Sequence, residues 1–173
     1  VIFDKAIPKG VLNIHLNTLN AMKMVYGIKD IEYEITPKKV GVEFNFAKSK
    51  VSSGNINNID TLFDAGKKLI QRGCNALAVV CLFEDDEDDE DYQSGKGVDI
   101  VGGVEAIISH VVSREFNLPV AHAPAFRKIS ITKKLVNPKS AAEYITPTFL
   151  PCIILGLYQA PQFISGKEKN KNV

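Results

Sequence analysis

The stretch Ala76-Leu-Ala-Val-Val-Cys-Leu-Phe83 decides the fold. It is apolar without a break, it has the length of one strand, and a strand that is apolar on both faces must be covered on both faces. Such a segment reads as a central strand of a parallel sheet. Upstream, residues 59–72 carry Leu62, Phe63, Leu69 and Ile70, with Gly66 on the same stripe, the spacing of one helical face; Asp60 is the expected N-cap and Gly73 the stop. Downstream, Val104, Ile107, Ile108, Val111 and Val112 repeat the helical stripe, Asn117 to Pro119 ends it, and Val120-Ala-His-Ala123 reads as a short strand. A strand, loop, helix, strand unit predicts a right-handed crossover between parallel strands.

Toward the amino end, Val1 to Phe3 reads as a strand and Val11 to Tyr26 as a helix through Ile14, Leu19, Met22 and Tyr26. Ile31, Tyr33 and Ile35 alternate with Glu32 and Glu34, and Val40, Val42, Phe44 and Phe46 alternate with Gly41, Glu43 and Asn45, as half-buried strands do. Beyond residue 123, Pro138 to Tyr144 is a short helix, Cys152-Ile-Ile-Leu155 a further buried strand, and Gly166 to Val173 a disordered tail. The expectation is an α/β fold: a mainly parallel sheet flanked by helices in three layers, with an antiparallel edge near 31–46, forming one domain over 1–165.

The composition agrees. With 173 residues, 45% hydrophobic and 24% charged, the chain is long enough to bury a core without disulfides. No apolar run approaches the roughly 18 residues that span a bilayer. The chain opens on Val1 rather than methionine, which points to a fragment or a processed product. Its three cysteines, Cys74, Cys81 and Cys152, form no C-x-x-C pair, so neither a disulfide framework nor a zinc knuckle is indicated, and a reducing, intracellular compartment fits. Cys81 and Cys152 lie in apolar runs, where free cysteine acts as a small buried hydrophobe.

Glu84 to Asp91 is an unbroken run of eight carboxylates; setting it aside takes the formal charge from +1 to +9. Such a block repels itself into a solvated, mobile loop, expected over 84–94; a cation sink or a contact for a basic partner is the functional alternative. The lysines and arginines are scattered and no recognition helix, RNA-binding aromatic signature or finger spacing occurs, which argues against nucleic acid as a partner.

In open α/β sheets ligands bind beyond the carboxyl ends of the strands. Three segments define that edge: the loop after Phe83, the glycine-rich Gly95-Lys-Gly-Val-Asp-Ile-Val-Gly-Gly-Val-Glu105, and the strand end at His122-Ala-Pro124. Because 95–105 leads into a helix, its backbone N–H groups and the helix dipole suit a phosphate or carboxylate; the glycines are equally read as a flexible turn with close helix packing. Their spacing matches neither G-x-G-x-x-G nor a P-loop, and no G-x-S-x-G or H-E-x-x-H occurs, so no cofactor and no metal are named. Gly97, Gly102 and Gly103 are the ligand-binding candidates, joined by Asp4 after the first strand, which is otherwise a turn-forming aspartate. His122, Asp99 and Glu105 are the candidates for proton transfer, with His110 further down the helix; a structural histidine and carboxylates that oppose the helix dipole are the alternatives.

The segments Gly97-Val-Asp-Ile-Val-Gly-Gly-Val-Glu-Ala-Ile-Ile-Ser-His110, Leu118-Pro-Val-Ala-His-Ala-Pro-Ala125 and Thr148-Phe-Leu-Pro-Cys-Ile-Ile-Leu-Gly-Leu-Tyr-Gln-Ala-Pro161 resemble the family known as domain of unknown function 3326. The resemblance runs from Val1 to about Ile164 and corresponds to the carboxy-terminal part of that family, which occurs in cyanobacteria, other bacteria and plastid-bearing eukaryotes. It implies no particular activity, allows a plastid as well as a cytoplasmic location, and places Asp99, Gly102, Gly103, Glu105, His110 and His122 within the shared motifs. More loosely, the element order is similar to the second half of aspartate/glutamate racemase-like domains, whose cysteine sits at the strand end; Cys81 precedes that end by two residues. Two functions are therefore open: an enzyme acting on an anionic small metabolite, with the helix start holding the anion and His122 and Asp99 moving a proton, or a non-catalytic assembly protein, of a plastid complex for example. A homo-oligomer is compatible with either.

Overall fold

The computed structural model describes residues 1–46, 52–83, 90–96, 99–127, 134–145 and 149–160. In chain order these form β1 (Ile2–Phe3), α1 (Lys9–Tyr26), β2 (Glu34–Ile35), β3 (Val42–Phe46), β4 (Ser52–Ile56), α2 (Asp60–Gln71), β5 (Leu77–Phe83), α3 (Glu90–Gln93), α4 (Gly102–Phe116), β6 (Val120–Phe126), α5 (Pro138–Ile145) and α6 (Leu150–Gln159). The main sheet has the order β2-β1-β5-β6, with every pairing parallel. As its unbroken apolar run requires, β5 is central and buried at every residue. It pairs with β6 from Leu77↔Val120 to Phe83↔Phe126, so β6 runs three residues beyond the expected 120–123.

Side chains alternate across this sheet and feed two cores. On one face Phe3, Val80, Leu82, Ala123 and Ala125 pack with Val11, Leu19 and Met22 of α1 and with Leu150, Ile153 and Ile154 of α6. On the other, Ile2, Val79, Cys81 and Phe83 pack with Leu62, Ala65 and Leu69 of α2 and with Val104, Ile108 and Val112 of α4. The result is the expected three-layer α/β arrangement. A separate antiparallel hairpin, β3 with β4, lies against α4.

Several elements differ from expectation for identifiable reasons. Residues 152–155 are helical, not a strand. A short apolar run fits either period, and packing decides: as a helix, with Pro151 in its first turn, the segment brings Leu150, Ile153, Ile154 and Leu157 to the side that meets the core. The stretch 31–35 contributes only Glu34–Ile35, and it pairs parallel to β1; the antiparallel pairing belongs to Val42–Phe46, whose partner Ser52–Ile56 lacks any apolar alternation that would announce a strand. In α2, Asp60 is the first helical residue and opposes the dipole, while Ile59 holds the cap position without a side-chain bond. The inner face of α1 is rotated from the one expected, since Ile14 is 49% and Tyr26 52% exposed. Gly27 ends α1 at φ +67°, the left-handed conformation that glycine adopts most readily.

The acidic run falls largely at 84–89, outside the described residues, as does the tail expected at 166–173. Its last residues do not belong to a loop: 90–93 form the turn of helix α3, whose Tyr92 carbonyl accepts from Ser140 Oγ at 2.5 Å, while the Gln93 carbonyl accepts from the Asn137 amide at 2.9 Å. Helix α5 therefore anchors the far end of the acidic segment.

Candidate functional site

Asp4 follows β1 at the carboxyl edge of the sheet and is 2% exposed. Its own amide continues the ladder to the Val80 carbonyl at 2.9 Å. Oδ1 accepts from the amides of Ala6 at 2.9 Å and Val40 at 3.0 Å, and Oδ2 from that of Leu82 at 3.3 Å. One carboxylate thus joins the turn after β1, the chain that enters β3, and β5. Cys81 lies on the α4-covered face of β5, 1% exposed, and Glu105 of α4 is also 1% exposed. Burial pushes the Cys81 thiol well above its ordinary value, and the carboxylates of Asp4 and Glu105 push it the same way. A thiol held in its protonated form is a poor nucleophile.

Helix α4 is unusual in what it turns inward. Its buried residues are Val104, Glu105, Ile108, Ser109 and Val112, whereas Ile107 is 37% exposed. Apolar periodicity correctly selects Val104, Ile108 and Val112 for that face but adds Ile107 and Val111 where the structure places Glu105 and Ser109. Ser109 lies one turn beyond Glu105, with its hydroxyl 3.3 Å from the Glu105 carbonyl, 3.2 Å from that of Ala106 and 2.9 Å from Nδ1 of His122. His122 is half-buried on β6 opposite Val79. Burial lowers its pKa below the ordinary 6.5, and the neighbouring His110, exposed on the flank of α4, lowers it further.

A depressed histidine pKa has a defined sign in folding. The unfolded chain takes up the proton first, so the stabilisation is complete above the ordinary value and is lost as the pH falls through it toward the folded value. His15, lowered by burial beside Phe3, acts in the same sense. Urea unfolding should therefore show a midpoint that drops as pH is lowered through the ordinary value of 6.5, and the double variant His15→Gln/His122→Gln should flatten the profile. An unchanged profile in the double variant would contradict this assignment.

At the start of α4, Asp99 Oδ1 accepts from the Val101 amide at 3.0 Å. The Gly103 amide donates to Ser52 Oγ at 2.9 Å, and that hydroxyl donates to the Ile100 carbonyl at 2.5 Å. A Cβ on Gly103 would overlap the Ser52 carbonyl, so hairpin and helix meet backbone to backbone. Gly102 is different: its Cβ would come no closer than 3.4 Å, to Asp99 Oδ2. Gly97 lies outside the described residues.

The sequence candidates therefore sort into three places. Asp4 and Glu105 are buried and both act on the Cys81 thiol; Asp99, Gly102 and Gly103 sit at the start of α4; His122 pairs with Ser109. Seven residues from Gly102 to Ser109 amount to about 10 Å along the helix, so His122 stands beside the third turn of α4 rather than at its start. Among the described residues no group of His, Cys, Asp and Glu is arranged to hold a metal ion. Ser109 and the effect of the two acids on Cys81 are not legible in the sequence. The i, i+4 spacing of Glu105 and Ser109 is the available signal for the first; the second needs strand pairing.

A cavity of about 640 Å3 opens at the opposite, amino edge of the sheet. Its walls include Val1, Ala76 and Ala78 at the strand starts, Ile28 and Ile31 after α1, Ile154, Leu157 and Tyr158 of α6, and the thiol-bearing Cys74.

The family model described as "Protein of unknown function (DUF3326)" matches residues 1–173. The chain belongs to this family. It is 37% identical over 171 residues to an "uncharacterized lipoprotein" of Synechococcus sp.; the match covers 97% of this chain and 47% of the relative. The chain thus spans about half the length of the curated relative it matches. The word lipoprotein in that name stands apart from the intracellular location expected from three unpaired cysteines. Among the described residues no helix is long and apolar enough to cross a membrane. No solved structure matches this DUF3326 chain.

Proposed function

We propose that this domain binds an anionic small metabolite at the carboxyl edge of the sheet and transfers a proton there. The observation that carries this reading is the inner face of α4, which buries Glu105 and Ser109 against the sheet while leaving Ile107 37% exposed. A helix that stabilised the fold alone would bury Ile107 beside Ile108 rather than a carboxylate; positions where a sequence gives up local stability in this way concentrate at functional sites. Glu105 is the proton-transfer group, and its carboxylate, like that of Asp4, acts on the buried Cys81 thiol. The first turn of α4 attracts the anion through its dipole; the Gly103 amide is already held by Ser52, and the Asp99 carboxylate stands beside Gly102. His122, in contact with Ser109, is the second titratable group of the same face; Asp99 shapes the loop through the Val101 amide.

A thermal-shift screen with phosphates, nucleotides and dicarboxylates tests the reading. A ligand at about 100 times its Kd should stabilise the domain by about 2.7 kcal/mol, and Glu105→Gln, of the same shape, should abolish turnover or change its pH dependence while the fold persists. If none of these classes stabilises the wild-type domain, the reading falls. The alternative reading, an assembly protein, is favoured by a different feature, the apolar surface around the amino-edge cavity.

A further inference from the structure

Resting on the reading of α4 as a proton-transfer face, we propose that Ser109 is a positioning residue: its hydroxyl holds neutral His122 in the tautomer protonated at Nδ1, so that Nε2 carries the lone pair and is the atom at which this face takes up a proton. Ser109 is buried and His122 half-buried, and their mutual contact is fixed by few partners. The Ser109 oxygen lies 2.9 Å from Nδ1, 3.3 Å from the Glu105 carbonyl and 3.2 Å from the Ala106 carbonyl.

A hydroxyl has one proton to give, and the two helix carbonyls can only accept. Donation back into the helix, the habit of a serine within one, leaves the Ser109 oxygen as an acceptor toward the ring, so Nδ1 must bring the hydrogen. The reverse arrangement spends the hydroxyl proton on Nδ1 and turns the oxygen's lone pairs on two carbonyl oxygens, with no hydrogen in either contact. Only the first places a hydrogen on both sides of the Ser109 oxygen. The bond made by one ring nitrogen sets the state of the other, so in the neutral ring Nε2 is bare. Burial and His110 keep the pKa of His122 below the ordinary 6.5, which leaves that lone pair free at neutral pH. Because β6 is the last strand of the main sheet, His122 has Val79 on one side and no strand of that sheet on the other. When Nε2 takes a proton from a substrate, the electron pair of the broken bond stays on the substrate and Nδ1–H remains bonded to Ser109.

Nitrogen-15 NMR of the labelled, ligand-free chain tests this at a pH where its three histidines, His15, His110 and His122, are neutral, since protonated and bare ring nitrogens resonate far apart. One ring should show Nδ1 protonated and Nε2 bare, and that pattern should vanish in His122→Gln. On acidification the Nε2 resonance of this ring should move strongly and Nδ1 little. Ser109→Ala, which places the best helix former at a helical position, should keep the circular dichroism spectrum and send His122 to the Nε2–H form that free imidazole prefers in water. Ser109→Thr, which keeps the hydroxyl, should retain Nδ1–H. Three histidines all protonated at Nε2 would overturn the proposal, as would an Nδ1–H ring that survives Ser109→Ala or belongs to His15 or His110. None of these spectra needs a ligand or turnover, so the tautomer can fail while the thermal-shift screen finds an anion, and can hold while the screen finds none.

Discussion

Replacing Asp4 by alanine is expected to destabilise the domain by about 3–5 kcal/mol, seen as a fall in the urea midpoint followed by circular dichroism, since the chain has no tryptophan. The side chain is 2% exposed and accepts three backbone amides, from Ala6, Val40 and Leu82. Alanine leaves all three donors without this acceptor in a place where water cannot readily replace it, and each such loss costs about 1–3 kcal/mol. Asparagine offers a finer test. Its single carbonyl oxygen can take over the two amides bound to Oδ1, but its NH2 group faces the Leu82 amide as donor against donor. Asp4→Asn should therefore recover part of the loss and leave a deficit of roughly one buried hydrogen bond. Equal stability of wild type and the alanine variant would show that the carboxylate does not join β1, β5 and the entry to β3.

Gly103→Val should cost about 3 kcal/mol, at the upper end of what overpacking a core normally does. The added Cβ overlaps the backbone carbonyl of Ser52, which no rotamer change can relieve, so β4 would have to lift from α4 and break the Gly103 amide bond to Ser52 Oγ. Gly102→Ala is the control. Its Cβ has 3.4 Å to the Asp99 carboxylate, and alanine is up to about 1 kcal/mol better than glycine within a helix, so stability should hold or rise. Adjacent glycines at one helix start are thus expected to differ sharply by urea titration. If Gly103→Val unfolded at the wild-type midpoint, the close contact between hairpin and helix would be refuted.

The sequence by itself determined the class of fold, because the segments that carry it have a strong period or none. An apolar run over 76–83 leaves a central parallel strand as its natural reading, and the stripes over 60–72 and 104–112 mark the two helices that cover one of its faces. It also located the glycine-rich entry to α4 and the acids near it. Tertiary structure alone decided the rest. Residues 150–159 are apolar enough for a strand or a helix, and they became α6 because the face of the sheet carrying Val80 and Leu82 needed cover that α1 supplied only in part. Ser52–Ile56 has no apolar pattern and is a strand only because β3 pairs with it. For the site, spacing along the chain placed Asp99, Glu105 and His122 within one region, yet it could not show that Glu105 is turned inward, that His122 meets Ser109, or that Gly103 is held against Ser52. Those contacts join residues that are 13 to 51 positions apart where a hydrogen bond makes them. Local propensity carries no information across such distances: which strand lies beside which, and how far each helix rotates over the sheet, is set by the packing of both cores at once.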